Sequence, residues 1–195
     1  MTYRVAVAVS GRGSNLVALC EALATDESAR VVLVVADRGA AALDRATERG
    51  IPTHRLADFR DGVEWQRILV DSRCDLLVLA GYLRLVPPDV VRAMAGRIIN
   101  VHPALLPKYG GAGMHGSRVH EAVISAGELE SGATVHVVDE VYDRGPILAQ
   151  GRIALPAHAT ATTLAAAVLT VEHRILPAAV RAAAAAGHPV PFAFA

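Results

Sequence analysis

The chain reads as an α/β fold: a mostly parallel sheet with helices on both faces and antiparallel strands toward the C-terminal half. Three observations predict this. Short apolar runs, at residues 5–9 and 31–36 among others, alternate with amphipathic stretches of helical period. Those runs are apolar at every position, as strands covered on both faces are. After residue 100 the alternation breaks, and two strand-like runs are joined by the short turn Tyr142-Asp143-Arg144-Gly145-Pro146, which suits an antiparallel pair. At 195 residues the chain is long enough to bury a sizeable core, and residues 1–195 are expected to form one domain.

The elements follow in order. Alternating Val and Ala make 5–9 a buried strand, and a helix is expected over about 16–24. A second strand, 31–36, leads to a helix near 40–49, which Gly50-Ile51-Pro52 turns into a short strand at 53–56. An amphipathic helix at 63–71 precedes a strand at 76–80, and Pro87-Pro88-Asp89 opens the next helix, since proline suits a first turn. A strand at 98–102 ends at Pro103, followed by an irregular Gly/Pro-rich segment to Gly116 and a helix at 118–125. Strands at 133–138 and 147–154 come next. A last long helix is expected over 162–185, interrupted near Pro177 because proline removes an N–H and crowds the preceding turn.

Composition narrows the function classes. Lys plus Arg equals Asp plus Glu at 19 each, and no long basic run occurs, which argues against nucleic acid as a partner. Cys20 and Cys74 are isolated, with no metal-type or disulfide-type spacing, so a reduced cytoplasmic setting is expected. The N-terminus has no signal-peptide pattern, and no apolar stretch is expected to span a membrane.

The most informative pair is Asn100 and His102 in Ile98-Ile99-Asn100-Val101-His102-Pro103. Strand side chains alternate faces, so both project from one face where the strand ends. An amide able to donate to an oxyanion then lies beside an imidazole able to move a proton, as acyl transfer requires. The alternative is a capping Asn and a core His satisfied by backbone. Ser10-Gly11-Arg12-Gly13-Ser14-Asn15, between strand and helix, offers a tight turn and free helix N–H groups, suited to one phosphate or to an ordinary capped turn. Leu16 stands where the dinucleotide fingerprint needs glycine, and the Walker lysine is missing.

Asp139, Glu140 and Asp143 cluster after the strand carrying His136, at the end of the sheet where ligands bind in open α/β folds. A carboxylate near His102 would favour its charged form. Asp143, backed by Gly145-Pro146, is the strongest candidate; Asp139 and Glu140 also suit plain solvated charge. His115 and His120 share no helical face, and no metal site is expected. His54, His158 and His188 suit the surface, and His173 suits packing.

These motifs resemble the folate-dependent phosphoribosylglycinamide formyltransferases (GAR transformylases). The resemblance runs over nearly the whole chain. It rests on the glycine loop, Leu79-Ala80-Gly81-Tyr82-Leu83-Arg84, Asn100-Val101-His102-Pro103-Ala104-Leu105-Leu106-Pro107-Lys108-Tyr109, and Thr134-Val135-His136 followed by Asp143. It implies a Rossmann-like formyltransferase fold and a formyl transfer from 10-formyltetrahydrofolate, as co-substrate, to the amine of N1-(5-phospho-D-ribosyl)glycinamide (GAR) in purine synthesis. In that reading Asn100, His102 and Asp143 are catalytic. Gly13, Ser14 and Asn15 hold the GAR phosphate, and Glu172 its ribose. Leu83, Arg84, Leu85 and Val86 line the pterin pocket with Asn100 and the backbone of Asp139, Glu140, Val141 and Tyr142. Partners are small molecules, with no nucleic acid, metal or membrane, and the chain acts as a monomer or homodimer.

Two departures stand out. The segment Gly110-Gly111-Ala112-Gly113-Met114-His115-Gly116 is longer and richer in glycine than in better-known members; it resembles a longer-loop bacterial variant and is expected to form a mobile lid. Gly62 stands where the family often supplies an Arg to the folate's glutamate tail, leaving Arg60 or Arg67 to substitute. Methionyl-tRNA formyltransferases share the Asn-x-His…Asp core but carry a further domain and a basic surface. Formyltetrahydrofolate hydrolases usually carry an N-terminal regulatory domain, and sugar-nucleotide formyltransferases stay open, though the phosphate-holding loop fits GAR better. A non-catalytic binding module would leave the Asn100, His102 and Asp143 set unexplained.

Overall fold

The computed structural model describes residues 2–194. Its elements run β1 (Tyr3–Val9), α1 (Ser14–Leu23), β2 (Ala29–Ala36), α2 (Ala41–Thr47), β3 (Thr53–Arg55), α3 (Gly62–Asp71), β4 (Leu76–Leu79), α4 (Pro88–Ala93), β5 (Ile98–His102), α5 (Ser117–Ser125), β6 (Glu130–Val137), β7 (Ile147–Ala154) and α6 (Ala161–Ala186). The strands form one seven-stranded sheet in the order β3-β2-β1-β4-β5-β6-β7. Neighbours from β3 to β5 are parallel, whereas β6 runs antiparallel to both β5 and β7. The expected mixed sheet is therefore present, with its switch of direction after β5.

Period-two alternation divides the core. Val5, Val7 and Val9 pack with Leu16, Leu19, Val168 and Ile175 on one face. Ala6, Ala8 and Leu77 pack with Trp65, Leu69 and Val90 on the other. Trp65 is fully buried and meets Tyr82 edge-on at 5.7 Å. Burying one large apolar side chain stabilises the fold by about 1.5–3 kcal/mol, so this second layer is firmly held beneath the β4 loop.

On β5, Ile98 belongs to the second layer, and Asn100 and His102 continue the same face to the strand's carboxyl end. Thr134 sits opposite His102 on β6 and fixes the chain leaving β5. Its hydroxyl donates to the Ala104 carbonyl at 2.6 Å and accepts the Leu106 N–H at 3.0 Å.

Helix α6 departs from expectation. It runs unbroken through Pro177, because Leu176, Pro177, Ala179 and Val180 are all buried in the core face. Burial of that apolar stripe outweighs the lost backbone hydrogen bond. The helix is also long and apolar enough to cross a membrane by length and composition, contrary to the sequence reading, but half of that window is buried inside the fold. It is read as a core helix. Its N-terminus is closed by a capping box between Thr160 and Thr163.

Candidate active site

Beyond the carboxyl ends of the strands lies a cavity of about 900 Å³. Its walls are the glycine loop after β1, the loop 81–86 after β4, the end of β5, the segment 111–116, and the facing sides of α5 and α6. This is the crevice at the switch point of an open sheet, where β1 has β2 on one side and β4 on the other.

Three distant residues meet here. His102 Nδ1 lies 3.7 Å from Asp143 Oδ2, and both side chains are nearly closed to solvent. The His102 Nε2–H donates to the Tyr109 carbonyl at 2.8 Å, which leaves Nδ1 as the nitrogen facing the acid. Asn100 lines the cavity from the same strand face. Asp143 itself adopts a left-handed backbone with φ 56°. Gly145 behind it has no room for a side chain, because a Cβ would meet the Val137 carbonyl oxygen at 1.8 Å. That packing explains the Gly-Pro turn that aims the acid inward.

Two influences oppose each other at His102, the attraction of Asp143 for a charged imidazole and the burial of the ring. Burial is the larger influence and pulls the His102 pKa below its ordinary value, even though Asp143 and the Tyr109 carbonyl push it up. Desolvation penalises the charged form, so burial favours the neutral imidazole. Asp143 behaves in the opposite sense. Burial pushes its carboxyl up, but His136, His102 and the Gly111 N–H, which donates to Oδ2 at 2.8 Å, together bring it below the usual range. It remains an anion.

His136 is the residue that sequence reasoning left without a role. It is buried opposite Asn100 on β6, and its Nδ1–H donates to the Val137 carbonyl at 2.9 Å. Nε2 is then an acceptor, reached by Asn100 Nδ2 at 3.0 Å, with Asp143 Oδ1 farther away at 3.5 Å. The signal was available: His136 and Asn100 both sit on the outward register of their strands, and only the pairing was missing.

The structure places the remaining predicted residues unevenly. Leu83, Arg84, Leu85, Val86, Asp139, Val141 and Tyr142 line the cavity, as do Ser14 and Glu172. Glu140 does not; it pairs with Arg92 at 3.1 Å on the surface. Gly13 and Asn15 lie behind the wall. Gly13 makes the turn at φ 76°, where a Cβ would strike Ala42 at 2.6 Å. Asn15 Nδ2 donates to Glu172 Oε2 at 2.6 Å, and both side chains are buried. Burial pushes Glu172 up to about 7, with the Asn15 bond pulling the other way.

Arg12, His115, His120 and Glu121 also line the cavity, although none of them is a site residue in the sequence reading. Gly62 is explained by Asp89, whose Oδ2 would lie 2.0 Å from a Cβ there. Arg60 and Arg84 both lie over the Phe59 ring, at 4.5 and 4.9 Å. Among the described residues no group of three or more His, Cys, Asp or Glu side chains is arranged to hold a metal ion.

Comparison with known proteins gives a consistent result. The formyl transferase family model matches residues 3–180. The chain is 38% identical over 182 residues to the chloroplastic phosphoribosylglycinamide formyltransferase of Arabidopsis thaliana, covering 88% of this chain and 62% of that one. It is 36% identical over 181 residues to the phosphoribosylglycinamide formyltransferase of Escherichia coli, covering 89% and 83%. The crystal structure of phosphoribosylglycinamide formyltransferase from Anaplasma phagocytophilum superposes with a TM-score of 0.88 at 34% identity, covering 95% of this chain and 88% of that one. The chain spans about three fifths of the length of the plant relatives, 62% and 58%.

Proposed function

The chain belongs to the formyl transferase family, and from that premise we propose that its cavity transfers the formyl group of 10-formyltetrahydrofolate to the primary amine of GAR. The products are formyl-GAR and tetrahydrofolate, a step of purine synthesis. The observation that carries this reading is the meeting of Asn100, His102 and Asp143 in one cavity, between a helix-start loop suited to phosphate and an apolar loop suited to a flat heterocycle.

The amine nitrogen attacks the formyl carbon, forming a C–N bond and an oxyanion. The Asn100 N–H not directed at His136 donates to that oxygen; such a donor is worth about 3–4 kcal/mol in the transition state. Neutral His102 takes the proton that the amine sheds, at Nδ1, and Asp143 stabilises the resulting imidazolium. As the intermediate collapses, the C–N bond to the folate breaks and His102 returns the proton to the leaving nitrogen. Holding both substrates in one crevice supplies much of the rate through orientation.

Ser14 at the start of α1 holds the phosphate with the free N–H groups of that helix, and Gly13 shapes the turn. Glu172 meets the ribose hydroxyls, with Asn15 setting its orientation. Leu83, Arg84, Leu85 and Val86 receive the pterin together with Asp139, Val141 and Tyr142. We place the whole reaction within one domain, in the cytoplasm, with small molecules as partners and a monomer or homodimer as the active form.

The test offers purified protein the folate donor with GAR, tRNA, a sugar amine and water as competing acceptors. Formyl-GAR is the expected product. Formyl transfer to tRNA or sugar amine in its place, or release of formate alone, would overturn the assignment.

A further inference from the structure

Asp37 follows β2 and lies outside the cavity lining, yet its carboxylate joins the loops that follow three neighbouring strands. Its side chain is only 1% exposed. Oδ2 accepts from Arg38 Nη2 at 2.6 Å and from Arg84 Nε at 3.2 Å, on the loop after β4. The Ser10 hydroxyl, on the loop after β1, also faces this carboxylate and helps hold it charged. Ser10 Oγ in turn accepts the Leu83 N–H at 2.9 Å, and the Ser10 N–H donates to the Gly81 carbonyl at 3.2 Å.

A carboxylate this buried needs a reason. Burial pushes its pKa up, and Arg38, Ser10 and Arg84 together more than offset that push. Oδ1 is nevertheless buried without a hydrogen-bond partner, an arrangement that costs stability. What it secures is the course of the β4 loop. Arg84 is drawn toward Asp37 and the Phe59 ring, so its neighbours Leu83 and Leu85 stay presented at the cavity, 41% and 46% exposed. Two exposed leucines on a pinned backbone suit one face of a planar, partly apolar ring.

We infer that Asp37 is a positioning residue that locks the loop bearing Leu83, Arg84 and Leu85 in the shape that receives the folate donor, and ties it through Ser10 to the phosphate loop. The folate part rests on the function proposed above. Asp37 touches neither substrate, so its loss shows in donor binding and loop order rather than in the chemical step.

The experiment has two readouts on wild type, Asp37→Asn, Asp37→Ala, Arg84→Ala and the Asp37→Ala/Arg84→Ala pair. In the unliganded protein, exchange of the Leu83 amide should be about tenfold faster in Asp37→Ala, with the β1 and β4 amides unchanged. Unchanged Leu83 exchange would overturn the positioning role whatever the ligand is. Affinity for tetrahydrofolate should fall about tenfold in Asp37→Ala and less in Asp37→Asn, which keeps the shape. The losses of the two single variants should fall short of multiplying in the double variant, because Asp37 and Arg84 share one contact. Fully multiplicative losses, or wild-type affinity in Asp37→Ala, would overturn the inference. If wild-type protein takes up no tetrahydrofolate, the proposed function fails and the folate part with it, while the exchange result still decides whether Asp37 orders the loop.

Discussion

Asn100 and His136 face each other across the β5–β6 pair, with the amide nitrogen 3.0 Å from the imidazole Nε2. The contact turns a strand register into a fixed amide orientation. One N–H of the amide is spent on His136, which leaves the other for the cavity that Asn100 lines.

His136→Ala should therefore lower turnover by about tenfold to a hundredfold, less than the ~10²–10³ expected for loss of the oxyanion donor itself. His136→Gln, whose carbonyl can still accept from Asn100, should recover part of the loss. Steady-state kinetics with both substrates saturating check this. Equal turnover in wild type and His136→Ala would separate His136 from the reaction.

The depressed pKa of His102 sets the pH profile. A base must be unprotonated, so kcat/KM should rise with pH through a midpoint below the ordinary 6.5 and then level off. Asp143 raises the His102 pKa, so Asp143→Asn should move that midpoint still lower while reducing turnover. A rate that falls as pH climbs past 6.5 would show instead that the charged imidazole is the working form.

Glu172 links function to stability. Its folded pKa of about 7 lies above the ordinary 4.5, so between these values the folded state holds more protons than the unfolded one. Stability from this group is then full below about pH 4.5 and is lost as pH rises through about 7. Glu172→Gln keeps an acceptor for Asn15 without the charge. At pH 8 it should be more stable than wild type by on the order of 2–3 kcal/mol, with little difference at pH 4.5, while GAR binds more weakly. Denaturant titrations at the two pH values, with calorimetry for GAR, give both numbers. Equal stability at pH 8 would contradict the shift.

For the glutamate tail of the folate, Arg60 is the arginine to test first, because it shares the Phe59 ring with Arg84, which lines the cavity. Arg60→Ala should raise the KM for a polyglutamylated donor several-fold more than for the monoglutamate. Parallel changes for both donors would remove it from tail recognition.

Much of this was legible in the sequence because it rests on local chemistry. Val5, Val7 and Val9 on one face with Ala6 and Ala8 on the other declare a strand buried on both faces, and Asn100 and His102 share a face by period two. The Gly-Pro turn pointed to Asp143. What stayed hidden depends on long-range packing. Pro177 should have broken α6, and only burial against the sheet overrides it. The downward pull on the His102 pKa comes from desolvation, which no motif encodes. The family resemblance implies Asn15 as a phosphate ligand, but its side-chain bond to Glu172, 157 residues away, is a pairing no local motif encodes. That His120 and Glu121 line the cavity follows from the docking of α5, which only the fold supplies.

The most direct test measures turnover and GAR affinity together in His102→Ala. The account predicts turnover reduced by roughly 10²–10⁴, as loss of a positioned acid–base group entails, with GAR affinity within about twofold of wild type. Wild-type turnover in that variant, with the fold intact, would contradict it.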